Sequence, residues 1–131
     1  MARRGLAGLR RPLVRIPAFP PIADTPIRLL VGPTNSAGQG FAWARCARSL
    51  PGVSGTAFAL HRTKQYDFAD DYGVPLELFG HPRWQRAQQR HVLTGYTHVL
   101  VESLRPLLGS GSAGADIERF TEAGLEVGLV F

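Results

Sequence analysis

A glycine-containing loop follows the first apolar run of the sequence and is the strongest candidate for ligand binding. Residues 27–31 (IRLLV) predict a strand, residues 32–40 (GPTNSAGQG) form the loop, and a helix is predicted over residues 37–50. Glycines let backbone N–H groups approach a ligand, and the positive end of a helix dipole favours a phosphate or a carboxylate. The candidate substrate-binding residues are therefore Asn35, Gly38, Gln39 and Gly40. The alternative is that the glycines only allow close packing of the helix on the sheet.

The loop does not complete a standard phosphate-binding motif. Trp43 stands where a dinucleotide fingerprint needs Gly or Ala, and no Gly-Lys-Ser/Thr follows for a P-loop. A second run, residues 109–114 (GSGSAG), matches G-x-G-x-x-G literally, but the acidic ribose ligand expected about 20 residues later falls at or beyond the last residue. That run is typical of a flexible turn, with dinucleotide binding as the alternative.

Glu102 is the second candidate, because it ends a strong strand pattern at residues 97–101 (THVLV). Ligand contacts in α/β proteins lie at the carboxyl ends of parallel strands. Glu102 is thus either a substrate contact or a partner in a local cap or salt bridge. No catalytic residue can be assigned from these patterns.

Other polar residues favour structural roles. The four histidines and the single cysteine are too scattered for a metal set, so neither a metal nor a resident cofactor is predicted. Three aspartates in one loop predict a solvated segment, and three arginines at helical spacing predict a solvated helix face, with phosphate contact as the alternative. These residues are His61, His81, His91, His98, Cys46, Asp67, Asp70, Asp71, Arg83, Arg86 and Arg90.

Strand patterns alternate with helical patterns after residue 26. Further strands are predicted over residues 53–60, 97–101 and 125–131, with a short edge strand at 74–79, and further helices from Pro82 and over 115–123. Ser36 and Gln39 stand at capping-box spacing before the first helix. This alternation predicts an α/β fold, a Rossmann-like three-layer domain with a mostly parallel sheet over residues 27–131.

The positive charge lies mainly in the first 26 residues. They hold five arginines, one aspartate and half of the ten prolines, and so carry +4 of the net charge of +5 of the 131-residue chain. An Arg/Pro-rich segment without a regular apolar pattern predicts a flexible basic tail over residues 1–26. These residues favour a solvated extension, with weak contact with an anionic membrane surface as the alternative and no specific nucleic-acid partner, since five arginines give only a modest electrostatic attraction.

The segments IRLLVGPTNSAGQGFAWA, THVLVESLRP and LEVGLVF together resemble the N-terminal domain of GT-B-fold bacterial glycosyltransferases of the glycogen-synthase and mannosyltransferase type. The resemblance covers residues 27–131. It implies that the loop with Asn35, Gly38, Gln39 and Gly40 lies in the cleft between two Rossmann-like domains, near the acceptor and the donor diphosphate. In that family a second domain holds the nucleotide-sugar.

Two function classes follow from these patterns. The first is the acceptor-side domain of a glycosyltransferase-like protein, inactive alone, with a nucleotide-sugar and a sugar or lipid acceptor as partners only in a full-length context. The apolar run at residues 125–131 is followed by no polar residue, which favours a fragment of a longer protein. The second class is a small standalone α/β binding or interaction module. One cysteine and the lack of an apolar run of about 20 residues predict a cytoplasmic protein without a transmembrane segment.

Overall fold

The computed structural model describes residues 14–61, 68–109 and 111–131. These residues form strands and helices in alternation, joined by turns, with a short 3-10 turn at Ser36–Gly38 before the first helix. The strands are β1 (Ile27–Gly32), β2 (Val53–His61), β3 (Tyr72–Pro75), β4 (His98–Glu102) and β5 (Glu126–Val130), and the helices are α1 (Gln39–Arg48), α2 (Leu76–Phe79), α3 (Pro82–Gly95) and α4 (Ala113–Glu122).

The strands form one parallel sheet in the order β3-β2-β1-β4-β5. The chain first builds outward from β1 to β3 and then returns to the other side of β1, so the order reverses between β1 and β4. Open α/β sheets place their ligand crevice outside the carboxyl ends of the strands at such a reversal. The predicted Rossmann-like α/β fold is confirmed, and its topology directs attention to the residues that follow β1 and β4.

The main core lies between the sheet and the two helices α3 and α4. Trp84 and Phe120, one from each helix, are fully buried against sheet residues such as Phe58 and Val99. The indole N–H of Trp84 donates a hydrogen bond of 3.2 Å to the Tyr72 hydroxyl, which meets the hydrogen-bonding need of a buried tryptophan. Helix α3 starts at Pro82, as predicted. Proline suits the first turn of a helix, because an N–H at that position would have no partner within the helix.

Helix α1 covers the opposite face of β1 and β2 through small residues. Ala44 and Ala57 are fully buried there, and a Cβ atom built on Gly55 would lie 2.5 Å from the Ala44 carbonyl oxygen. The helix backbone therefore rests almost directly on the strand. This close approach fixes how near the first turn of α1 comes to the carboxyl edge of the sheet.

Two local predictions differ from the structure. Helix α1 begins at Gln39 instead of residue 37, since Ala37 adopts a left-handed backbone (φ 52°) that interrupts the helical path. The segment predicted as a strand over residues 74–79 is split, because β3 ends at Pro75 and the next four residues form α2. Pro75 has no N–H to donate to a neighbouring strand, and it is the last residue of β3, which lies at the edge of the sheet.

Residues 14–26 do not behave as the predicted tail. Val14, Ile16, Phe19 and Ile22 pack against the main core, and we call residues 14–22 the N-terminal strap. The Phe19 ring stacks on the His91 imidazole at a centroid distance of 4.5 Å. Burial lowers the pKa of His91, which keeps this ring neutral at neutral pH. The prediction of a flexible tail over residues 1–26 is thus wrong for the strap. Residues 1–13 lie outside the described residues.

The strap is also held by a hydrogen bond. The Tyr72 hydroxyl donates to the Pro17 carbonyl oxygen at 3.1 Å, and the Tyr72 ring lies 4.9 Å from that of Phe19. A segment without regular secondary structure thereby shares one aromatic cluster with β3 and α3. Within the parts of the chain that the structure describes, no helix is long and apolar enough to cross a membrane.

Gly55 provides a test of the close contact between α1 and β2. We expect Gly55→Ala to lower the free energy of unfolding by about 1–3 kcal/mol, because the new methyl group must push the helix away from the strand. Gly114→Ala is the matched control, since its Cβ would meet only the Ser112 hydroxyl at 4.0 Å. Urea unfolding followed by circular dichroism measures both. Equal stability of the two variants would contradict the close packing.

Phe19 tests whether the strap is bound in solution. We expect Phe19→Ala to lower the free energy of unfolding by about 1–3 kcal/mol, less than the loss of a fully buried phenylalanine, because Phe19 is only half-buried. Pro21→Ala, at an exposed position just beyond Phe19, serves as the control. Thermal unfolding compares the three proteins. A wild-type melting temperature in the Phe19 variant would show that the strap is not docked.

Candidate functional site

The carboxyl ends of β1 and β4 bring the main sequence candidates together. Gly32 at the end of β1 pairs in register with Val101, so the loop after β1 begins beside Glu102, the last residue of β4. The loop runs through Thr34 and Asn35 into the 3-10 turn and then into α1. Residues 67 positions apart in the chain thus meet at one edge of the sheet.

The Glu102 carboxylate is buried under this loop. Its side chain is only 4% exposed, and its Oε1 accepts a hydrogen bond of 3.1 Å from the Asn35 N–H. The backbone N–H and the hydroxyl of Thr34 also donate to the carboxylate. Burial raises the pKa of Glu102, and the hydrogen bonds from Asn35 and Thr34 oppose this rise. The group ties the loop to the end of β4.

Asn35 connects the loop to two further segments. Its Oδ1 accepts a hydrogen bond of 2.9 Å from the Phe41 N–H in the first turn of α1, and its Nδ2 donates to the Ala69 carbonyl oxygen at 2.9 Å. Asparagine also suits the left-handed backbone at this position (φ 47°). The residue is 5% exposed, so its side chain organises the loop from inside.

The predicted capping box is wrong. The residue that precedes α1 is Gly38, and no side-chain cap bond forms at that position. The side-chain cap comes from Asn35 instead, whose Oδ1 accepts the hydrogen bond from the N–H of Phe41, six residues later in the chain. The 3-10 turn displaces Ser36 from the capping position, and Ser36 is exposed.

The first turn of α1 contains Gly40, which lies directly against the Glu102 carboxylate. A Cβ atom there would lie 3.1 Å from both carboxylate oxygens of Glu102 and 3.3 Å from Asn35 Oδ1. Gly40 therefore lets the helix approach the buried carboxylate. Gly38 has a left-handed backbone (φ 76°) and lies against the half-exposed Phe68, while Gln39 is exposed.

Unusual backbone conformations gather at the same edge. Among the described residues, the non-glycine residues with positive φ are Asn35, Ala37, Ser103 and Leu104. Two follow β1 and two follow β4. Such conformations cost of order 1–3 kcal/mol each, and they persist only where surrounding contacts impose them. All four lie within two residues of the ends of the loops that meet at Glu102 or follow it directly in the chain, so the contacts around this edge impose these conformations.

A second polar group that the sequence patterns do not reveal lies between β2 and the two residues that precede β3, Asp70 and Asp71. His61 Nε2 lies 2.7 Å from Asp70 Oδ2, and a side chain on Gly73 would collide with this pair. Asp71 accepts from the Ala57 N–H at 2.7 Å and forms an ion pair of 2.9 Å with Arg48. No local spacing links His61 to Asp70, because His61 ends β2 and Asp70 lies before the start of β3. Asp67 lies outside the described residues.

The other sequence candidates lie apart from this edge or have local partners. Ser112, in the second glycine run, accepts a hydrogen bond of 3.1 Å from the Ala115 N–H and caps α4. His81 caps α3 in the same way through Arg83 N–H, and His98 is 2.7 Å from the Thr97 hydroxyl. The arginines of α3 are exposed: Arg83, Arg86 and Arg90.

No protein-family model, curated protein or solved structure matches the chain. The arrangement of Glu102, the loop and the first turn of α1 must therefore be interpreted from its own geometry. That geometry is an edge of the sheet at which a buried carboxylate accepts hydrogen bonds from the loop after β1 and lies against the first turn of α1.

The raised pKa of Glu102 leads to a pH-dependent stability. The folded protein binds the proton of the Glu102 carboxyl group more tightly than the unfolded chain, in which the pKa of a glutamate is ordinarily 4.5. The contribution of Glu102 to stability is therefore complete below about pH 4.5 and is lost as the pH rises through the raised pKa. We expect the free energy of unfolding of the native protein, measured relative to Glu102→Gln, to fall as the pH rises above about 4.5 and through the raised pKa.

Urea unfolding at several pH values in this window provides the measurement. Glu126→Gln is the control, because Glu126 is exposed at the start of β5 and its replacement removes the same charge at the opposite edge. A pH profile of Glu102→Gln that runs parallel to that of the native protein would contradict the shift.

Proposed function

We propose that this chain is the acceptor-side domain of a glycosyltransferase-like protein and that it binds a hydroxyl-bearing acceptor at the carboxyl edge of β1 and β4. The observation that carries the proposal is the buried Glu102 carboxylate, which holds the Thr34–Asn35 loop in place at the reversal of strand order. Ligand crevices of open α/β sheets lie at this position.

The local geometry supports binding of a polar ligand. The loop is fixed in advance by hydrogen bonds from Asn35 to α1 and to Ala69, so little conformational entropy is lost when a ligand docks. Gln39 is exposed at the start of α1, and Ser103 is exposed after β4. These side chains offer an amide and a hydroxyl, the groups that pair with sugar hydroxyls.

The chain alone is expected not to transfer sugar. In the family that the sequence resembles, the nucleotide-sugar is held by a second domain, and a catalytic site shared between two domains needs both to position its reactants. A nucleotide-sugar donor and a sugar or lipid acceptor are thus partners in the full-length context only.

A titration of the ¹⁵N-labelled protein with glucose, mannose and maltose tests the proposal. We expect millimolar binding, with amide shifts confined to residues 34–41 and 102–105, because these residues lie at the edge. We also expect no hydrolysis of a UDP-sugar or a GDP-sugar by the chain alone. Gly40→Ala should abolish the shifts, since its methyl group displaces Glu102 and Asn35, whereas Gly114→Ala should retain them.

Two results would contradict the proposal. One is that none of these sugars shifts an amide at the carboxyl edge. The other is turnover of a nucleotide-sugar by the isolated chain, which would show that the site is complete without a second domain.

The second candidate function is a small standalone α/β binding or interaction module. The N-terminal strap favours it, because a segment of the same chain covers the aromatic cluster around Tyr72 and His91. Size-exclusion chromatography with thermal unfolding separates the two functions. A monomer that melts cooperatively at high temperature and binds no sugar supports the module, whereas early melting or aggregation supports a domain that needs a partner domain.

A further inference from the structure

The N-terminal strap covers a histidine whose buried ring nitrogen has no hydrogen-bonding partner. His91 lies on α3, with the Phe19 ring stacked on its imidazole at 4.5 Å and the Tyr96 ring in an edge-to-face arrangement at 5.7 Å. Its Nε2 atom is buried and makes no hydrogen bond to any residue that the structure describes. The imidazole thus contacts apolar ring surface, part of which belongs to a segment without regular secondary structure.

Few contacts hold the strap in place. Among the described residues, the one hydrogen bond that joins the strap to the rest of the chain runs from the Tyr72 hydroxyl to the Pro17 carbonyl oxygen at 3.1 Å. The four apolar side chains of the strap that pack against the core are only partly buried. A hydrogen bond contributes about 0.5–1.5 kcal/mol. The free energy of docking is therefore small enough for one new charge beneath the strap to change the docked population.

A protonated His91 is unfavourable beneath the strap. Protonation gives both ring nitrogens an N–H, whichever tautomer the neutral ring has, so the buried Nε2 becomes a charged donor without an acceptor. The cavity beside the ring, which Phe19 and Tyr96 also line, measures about 10 Å³. Such a cavity holds about one water molecule, which is too little to hydrate an imidazolium. Burial accordingly lowers the pKa of His91.

The other groups around this cavity do not compensate the charge. Tyr72 and Tyr96 line it, and burial raises the pKa of both hydroxyls, so they stay neutral at acidic pH. The lining residues from β1 and β2 are uncharged. Asp71, which raises the pKa of Tyr96, is paired with Arg48 at 2.9 Å. The charged side chains of the strap, of its link to β1 and of this part of α3 are exposed to water: Arg15, Asp24 and Arg90.

We propose that the strap is a pH-operated cover: protonation of His91 detaches residues 14–22 and exposes the aromatic surface around Tyr72 and Tyr96. Above about pH 6.5, the ordinary pKa of a histidine, the ring is neutral in both states and the strap stays closed. As the pH falls from there to the lowered pKa, the open state binds the proton more tightly. The ratio of closed to open protein then falls by up to about tenfold for each pH unit. This device is independent of the proposed sugar site, because it involves none of the residues of that site.

The test follows the strap of the full ¹⁵N-labelled chain by NMR between about pH 8 and about pH 5. The amide shifts of Ile16, Phe19 and Ile22 are compared with those of a synthetic peptide of residues 14–22 at the same pH, which represent the open state. We expect the shifts of the native protein to move toward the peptide values as the pH falls below about 6.5.

Two variants assign the effect to one group. His91→Phe keeps an aromatic ring but takes up no proton, so its strap should stay closed over the whole range. His98→Gln is the control, because it removes a histidine of β4 that lies 2.7 Å from the Thr97 hydroxyl, and its strap should open as in the native protein. A native strap that stays closed down to about pH 5 would overturn the proposal. Opening of the same extent in His91→Phe would overturn it as well.

A second measurement needs no change at His91 and keeps the proposal testable if His91→Phe fails to fold. The carbon–proton NMR signals of the imidazole give the pKa of His91 in the native protein, in Phe19→Ala and in Pro21→Ala. Because linkage is reciprocal, loss of the strap contact must raise this pKa toward the ordinary 6.5. We expect the rise in Phe19→Ala and the native value in Pro21→Ala. An equal pKa in the native protein and in Phe19→Ala would show that the strap does not disfavour the charged ring, which refutes the proposal.

Discussion

The hydrogen bonds between the Glu102 carboxylate and the Thr34–Asn35 loop are the interaction on which the geometry of the carboxyl edge depends. They join the ends of β1 and β4, two strands whose neighbouring positions follow from the reversal of the sheet order. A buried carboxylate is costly to desolvate, and removal of one partner leaves several donors without an acceptor at about 1–3 kcal/mol each. The carboxylate and the loop therefore stabilise each other's position.

The two faces of the sheet serve this arrangement differently. The face under α3 and α4 is filled by large side chains such as Trp84, Phe58 and Phe120, which supply most of the buried apolar surface. The face under α1 uses Ala44 and Gly55, which bring the helix backbone close to the strand. Because α1 lies so near the sheet, its first turn reaches the end of β4. The small residues of one face thus bring the first turn of α1 next to the Glu102 carboxylate.

The fold could be predicted from local patterns to a large extent. The apolar runs that form β1, β2 and β4 are continuous, as is typical of strands buried on both faces, and Pro82 marks the start of α3. The strap could not be predicted, because Phe19 and Ile22 are single apolar residues among prolines and have no helical or strand period. Their burial depends on an aromatic surface formed by residues more than fifty positions away.

The candidate site could be predicted only in part, for a similar reason. Asn35, Gly40 and Glu102 were identifiable because each stands at a strand end or a helix start. The sequence does not reveal that the carboxylate faces the helix, nor that Asn35, and not Ser36, supplies the cap. The pairing of His61 with Asp70 likewise depends on the register of β2 and β3. These relations are long-range contacts, which residue spacing does not encode.

The strap has a consequence for which ligands can reach the aromatic cluster that it covers. Phe19 is tethered to β1 by a short connection in which the Thr25 N–H donates to the Ala23 carbonyl oxygen at 2.9 Å. Such a tether keeps the Phe19 ring at an effective concentration in the millimolar range or above near the rings of Tyr72 and His91. A modest contact free energy is then enough to keep Phe19 bound to these rings. A free aromatic peptide or small ligand can replace Phe19 only at comparable concentrations, so the covalent connection shields the aromatic cluster from other ligands.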